Sequence, residues 1–346
     1  MLSRVANSLY WMSRYLERAD NTARMVDINL QLLLDQRVPD DRMVAGYWTP
    51  IVQSAGDETL FASLHTRATA ETVTAFLVFQ PENPNSIVGT ISLARENARM
   101  VRDQITGEVW EEINRLYLFL RTSAARALLR SSPVEFFQEI KASSLHLQGL
   151  TDATVVHNEG WLFQQAGKYL ERADKTSRIL DVRHTAFPAR GAPGPVSQAS
   201  ALEWAAVLRS CTAWDAYKSI YGAEVLPGQV AEFLLLSPDF PRSVRYCVQR
   251  LNLSLRRISG VAEGCFSNDA EKLAGRLLAE LQFGTADEIF AAGLHTSIDV
   301  LQSKLNDIGS ALFQAYIFQP FYASDDSQLQ QQEEQQQQTA PGRARR

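Results

Sequence analysis

The sequence predicts an all-α protein, a multi-helix bundle made of two tandem pseudo-repeats of about 155 residues. Three observations predict it. Apolar residues recur at helical spacing along nearly the whole chain, no convincing run of alternating β-branched residues competes with them, and one ten-residue motif occurs twice.

The first element is the clearest. Leu9, Met12, Leu16, Ala19, Ala23, Val26, Leu30 and Leu33 recur at spacings of three and four, one stripe of a helix from about Ser3 to Gln36. Val38-Pro39-Asp40-Asp41 ends it, because a proline disfavours helical geometry in the residue before it. The same periodicity predicts helices over 71–79, 87–105, 108–130, 134–150, 159–184, 202–221, 230–236, 243–259, 269–282 and 286–317.

The motif Tyr15-Leu16-Glu17-Arg18-Ala19-Asp20 returns as Tyr169-Leu170-Glu171-Arg172-Ala173-Asp174, an offset of 154. Residues 76–87 (FLVFQPENPNSI) match 233–244 (FLLLSPDFPRSV) at 157, and Trp48 falls opposite Trp204 at 156. Three collinear matches with a slowly drifting offset are the trace of a duplication with small insertions. The expected layout is a single domain over 1–323, with repeat one at about 1–150 and repeat two at about 155–320. Inside the second repeat, 187–200 (FPARGAPGPVSQAS) holds too much proline and glycine for a helix and reads as a loop. Beyond it, 324–346 reads as a disordered tail, since eight of the 11 residues in 328–338 are glutamine.

Composition narrows the function classes. Apolar residues make up 45% and charged residues 21%, the profile of a globular protein, and a net charge of −5 leaves no basic excess to neutralise phosphates, so no nucleic acid is expected. Cys211, Cys247 and Cys265 show no CxxC spacing and suit a reducing compartment. The N-terminal segment carries charges every few residues, unlike a signal peptide, and no apolar run approaches the roughly 20 residues of a membrane span. A cytoplasmic protein without membrane attachment is the expectation. The Walker A, GxGxxG, GxSxG and HExxH patterns are absent, as is the paired ExxH of a di-iron bundle; Asp181-x-x-His184 is a lone half-site. Neither metal nor cofactor is expected.

The doubled motif has two readings. Asp20 with Arg24, Asp174 with Arg178 and Glu171 with Lys175 are acid–base pairs at i,i+4, each contributing about 0.3–0.5 kcal/mol on a salt-bridged helix surface. Arg18, however, shares its face with Trp11, Tyr15 and Met25, and Arg172 shares its face with Tyr169 and Ile179. Burial there demands carboxylate partners, and adjacent helical residues such as Glu17 and Arg18 do not face each other. Glu17, Arg18, Arg24, Glu171, Arg172 and Arg178 are therefore a candidate polar cluster, either architectural or ligand-binding. Arg95, Arg99 and Arg102 share another face that is either simply solvated or able to hold an anion or a partner. The turns at 81–86 and 238–243 put prolines ahead of helices, where they punctuate the chain.

Four stretches in order, MLSRVANSLYWMSRYLERADNTAR, NPNSIVGTISLARENARMVRDQI, EGWLFQQAGKYLERADKTSRILDV and AEFLLLSPDFPRSVRYCVQRL, resemble the bacterial alpha-E family over about residues 1–320. That family is all-helical and named for a Glu-Arg motif, here Glu17-Arg18 and Glu171-Arg172. Lys168 stands where the family more often has arginine, so no guanidinium is available there. The resemblance implies a neighbour or fused partner of the ATP-grasp type, which activates a carboxylate as an acyl phosphate for attack by an amine, and often a transglutaminase-like protein nearby. It supplies no established catalytic residue. Two functions are open: a non-catalytic helical partner of a peptide or amide ligase, binding the ligase or its peptide substrate, or an enzyme whose Glu/Arg cluster binds and processes a carboxylate-bearing peptide or amide substrate.

Overall fold

A computed structural model describes residues 1–36, 41–182 and 198–318, and within these it contains sixteen α-helices and no strand. The expected stop at Pro39, most of the proline- and glycine-rich loop and the glutamine-rich tail lie outside the described residues; 198–200 already belong to a helix.

The first helix, α1 (Ser3–Gln36), has the bounds its apolar stripe predicts. It is followed by α2 (Asp41–Ala55), α3 (Glu58–Leu64), α4 (Ala70–Val78), α5 (Ile87–Met100), α6 (Gly107–Leu120), α7 (Ser123–Ser131) and α8 (Pro133–Thr154). The second half holds α9 (Glu159–Asp181), α10 (Gln198–Ser210), α11 (Trp214–Tyr221), α12 (Pro227–Leu236), α13 (Val244–Ser259), α14 (Asp269–Phe283), α15 (Ala286–Ala292) and α16 (Leu294–Leu312), closed by a π-helical turn at Phe313–Ile317.

Three expected helices are broken in the structure, each for a local reason. Helix 108–130 becomes α6 and α7 because the Thr122 hydroxyl accepts the Ala125 amide and starts a new helix. Helix 202–221 is interrupted at Thr212, which sits at a φ of 54°. Helix 286–317 breaks at Gly293, at a φ of 94°. In the other direction, α2 and α3 form where no helix was expected; α2 carries Pro50 in its interior and is held by the burial of Trp48, Ile51 and Val52.

At the centre α1 packs along α9, while α5 lies against α1 and α13 against α9. Contacts advance together along α1 and α9, from Met1–Glu159 to Glu17–Arg172, so the two helices run in the same direction. They approach closely because residue 167 is glycine: a Cβ there would sit 2.3 Å from the Tyr10 carbonyl oxygen. Trp48 and Trp204, paired in the sequence, are both fully buried, and Ser86 and Ser243 both cap helices, accepting the amides of Gly89 and Tyr246. The duplication itself rests on the sequence matches.

Helix α9 is buried on nearly every side, yet it carries Gln164, Gln165, Glu171, Arg172, Asp174, Thr176 and Ser177 inward. Buried polar groups must find partners within the protein. Their partners define the site.

A buried network of two Glu-Arg motifs

The two motifs satisfy each other. Arg18 donates from Nε to Glu171 Oε1 at 2.6 Å and from Nη2 to Oε2 at 3.1 Å. Arg172 donates from Nε to Glu17 Oε1 at 2.8 Å and from Nη2 to Oε2 at 2.7 Å. Each fork is bidentate, the strongest form of this contact. Each arginine thus pairs with the glutamate of the other copy, which is the i-to-j, j-to-i pattern of contacts across a twofold axis.

Each glutamate has a second arginine. Arg14 reaches Glu171 Oε2 at 2.7 Å, and Arg242 reaches Glu17 Oε1 at 3.1 Å. Arg242 also donates to Asn21 Oδ1 at 2.9 Å and Asp20 Oδ2 at 2.6 Å. Asp20 Oδ2 takes in addition the Arg24 Nε at 2.9 Å, and Arg24 continues to the Thr212 hydroxyl at 2.9 Å. Arg178 grips both oxygens of Asp174 at 2.9 and 3.0 Å. Asn85, the sequence match of Arg242, accepts from Arg18 at 2.6 Å.

Both glutamate side chains are essentially inaccessible, at 2% for Glu17 and 0% for Glu171. Burial would push the Glu17 pKa up, but Arg172 and Arg242 outweigh it and hold it at about 2. Glu171 is likewise held well below the ordinary carboxylate range: burial opposes this, and Arg14 and Arg18 override it. Such groups stay ionised at neutral pH and have no proton to give.

The structure therefore brings Glu17, Arg18, Arg24, Glu171, Arg172 and Arg178 together in and around the α1–α9 interface. The i,i+4 pairs of Asp20 with Arg24 and Asp174 with Arg178 form as expected, but Asp20, Arg24 and Asp174 are buried, so they are not a solvated helix surface. The expected Glu171–Lys175 pair is corrected: the two arginines occupy Glu171, and the Lys175 ammonium lies 3.9 Å from Asp174. Sequence reasoning missed Arg14 and Arg242. Arg14 stands one turn before Arg18, and Arg242 was visible as the residue opposite Asn85 in the repeat alignment.

Arg95, Arg99 and Arg102 lie elsewhere, at the α5–α6 surface. Arg95 bonds Asn114 at 2.8 Å and lies over the Trp110 and Tyr117 rings, Arg102 lies 4.5 Å from the Trp110 ring centre, and exposed Arg99 pairs with Glu96 at 2.9 Å. A third group was not expected. Asp181, His295 and Asp299 each bring a ligand-type atom within 4.8 Å of the others, beside a groove of about 450 Å³. His295 Nδ1 is 2.8 Å from Asp181, whose hydrogen bond raises the imidazole pKa.

Comparison with known proteins follows the same lines. The Alpha-E family model, described as a predicted alpha-helical domain with a conserved ER motif, matches residues 1–317. Uncharacterized proteins of Mycobacterium bovis and of two Mycobacterium tuberculosis strains are each 23% identical over 365 residues, covering 94% of this chain and 39% of their own length. The chain thus spans about two fifths of these relatives. No solved structure matches.

Proposed function

Because the chain belongs to the Alpha-E family, whose ER motif is here a buried pair of reciprocal ion pairs, we propose that it is a non-catalytic helical partner of an ATP-grasp peptide or amide ligase, working in the cytoplasm. One observation carries the reading. Both motif glutamates are saturated by two arginines each and held ionised away from solvent, which suits a role in fixing α1 against α9 and leaves neither glutamate free to act as an acid or base on a substrate. The greater length of the mycobacterial relatives is consistent with a module that works beside further domains. The ligase, and a transglutaminase-like protein as a further neighbour, come from the family resemblance.

The contact surface in this reading is the α5–α6 face. Arg99 is 58% exposed, Met100 beside it is 54% exposed, and Arg95 and Arg102 are steadied by aromatic rings. Aromatic-supported arginine next to open apolar surface is the composition of interface hot spots. Arg99→Glu should weaken co-purification with the ligase while changing stability by less than about 0.5 kcal/mol. The test is co-purification of the two proteins and ATP turnover by the ligase with and without this chain. Absence of both association and any change in turnover at micromolar concentration would overturn the proposal.

A further inference from the structure

One cation beside the Glu17 network has no carboxylate of its own. Lys168 falls opposite Arg14 in the sequence match, at the same offset of 154 as the doubled motif. Arg14 spends its charge on Glu171, at 2.7 Å. The matching acid for Lys168 is Glu17, but Arg172 and Arg242 already occupy that carboxylate. Arg242 has neutral Asn85 as its sequence match, so the second half of the chain brings one basic group more to this place than the first. Lys168 forms no ion pair among the described residues, and its ammonium rests 4.7 Å from the centre of the Tyr169 ring.

A second such cation stands beside the same ring. Arg250, on α13, lies 5.9 Å from the Tyr169 ring centre and likewise forms no ion pair among the described residues. Helix α13 has no acidic residue to offer it. Tyr246, one turn before Arg250, packs on Tyr169 with ring centres 6.1 Å apart. An aromatic face attracts a cation but carries no net charge to neutralise it. Arg172 and Arg250 both repel the Lys168 ammonium; against them stand Glu17, which is already doubly paired, and Asp152, which is exposed. Burial first, and then Arg172, push the Lys168 pKa down to about 8. Both cations remain partly open to solvent, and Lys168 also lines a half-open pocket with Ser13, Gln148 and Thr151, so an anion can reach them.

We propose that Lys168 and Arg250, gathered at Tyr169 on the α9–α13 surface, bind a phosphate group, either as the free ion or as a monoester. The guanidinium offers a fork of donors and the ammonium a compact charge, and a phosphate has oxygens for both. Two cations held together without a carboxylate between them favour a dianion over a monocarboxylate, because it relieves their repulsion and satisfies each in turn. The arginines of the α5–α6 face differ in this respect, since Arg95 bonds Asn114 and Arg99 already has Glu96. Nothing in this proposal depends on the ligase reading, because the binding is a property of the isolated chain.

The test is calorimetric and NMR titration of the full chain with inorganic phosphate, glycerol phosphate and acetate, at neutral pH and constant ionic strength. The expected result is saturable binding of phosphate, with acetate at least about tenfold weaker. Glycerol phosphate binding as tightly as the free ion or tighter assigns the site to a phosphorylated molecule, and weaker binding assigns it to inorganic phosphate; either supports the proposal. Saturation should also raise the pH at which Lys168 titrates, because a neighbouring anion favours the charged amine. Lys168→Met and Arg250→Met should each weaken binding about ten- to hundredfold, the loss of a hydrogen bond to a charged group, whereas Lys168→Arg and the distant Arg99→Met should retain it. Circular dichroism reports whether each variant folds, and either Met variant suffices should the other fail. No saturable binding at millimolar phosphate, acetate binding as tightly as phosphate, Arg99→Met weakening it as much as Lys168→Met, or folded Met variants that bind like the parent would each overturn the proposal.

Discussion

Replacing Arg172 by methionine keeps most of its volume and removes its charge. The Glu17 carboxylate then loses the bonds of 2.7 and 2.8 Å that fork onto it. Solvent cannot substitute, since the Glu17 and Arg172 side chains are only 2% and 5% exposed. Breaking one side of a buried ion pair costs about 3–5 kcal/mol. Arg242 stays within 3.1 Å of the same carboxylate and offsets part of the loss, which puts Arg172→Met near the lower bound, about 3 kcal/mol. Glu17→Gln should cost a similar amount, because Arg172 loses its carboxylate counterion and keeps only neutral acceptors: the new amide oxygen, the Pro241 carbonyl and Gln148. The double variant no longer strands a charge at this pair, and should be less destabilised than the sum by about 0.5–3 kcal/mol. Equilibrium urea unfolding followed by far-UV circular dichroism at neutral pH measures all three. Single variants within about 0.5 kcal/mol of the parent, or strict additivity, would refute the reasoning.

Three further outcomes follow from the same geometry. The Glu17 pKa falls from 4.5 unfolded to about 2 folded, so its stabilisation is full above pH 4.5 and is lost as the pH drops through about 2; this should remove on the order of 3 kcal/mol, read by urea midpoints across that range. Gly167→Ala should destabilise by about 1–3 kcal/mol because its Cβ meets the Tyr10 backbone, whereas Gly149→Ala in α8, with nothing within 4 Å, should stabilise by up to about 1 kcal/mol; thermal melts with the same sign for both would contradict this. The Lys168 side chain, which burial and then Arg172 push below its ordinary 10.5, should titrate near pH 8 by NMR, so stability should rise with pH between those values; a midpoint above 10 would remove the desolvated setting assigned to it.

How much of this was legible in the sequence depends on the range of the interaction. The extent of α1 was, because its stripe is local and uninterrupted. The breaks at Thr212 and Gly293 were not, since each is a backbone turn inside an otherwise periodic run. Helix α2 was masked by Pro50, whose helix-breaking tendency is overridden by burial of Trp48. At the site, apolar neighbours along the helix correctly signalled that Arg18 and Arg172 need carboxylates from elsewhere. Which carboxylates they take is set by contacts 153 and 155 residues apart, and Arg242 reaches Glu17 over 225. No helical period encodes such pairs, and Glu171 turned to Arg14 and Arg18 across the interface where local spacing offered Lys175.

The central claim is that the motif glutamates are structural counterions, and their own titration tests it most directly. Carboxyl NMR of glutamate-labelled protein, with Glu17→Gln and Glu171→Gln used to assign the two signals, follows each group as the pH is lowered. The account predicts that Glu17 stays ionised to about pH 2 and that Glu171 also titrates well below the ordinary 4.5, each only as the fold is lost. A titration of either group at or above 4.5 in the folded protein, the behaviour of a general acid or base, would contradict it.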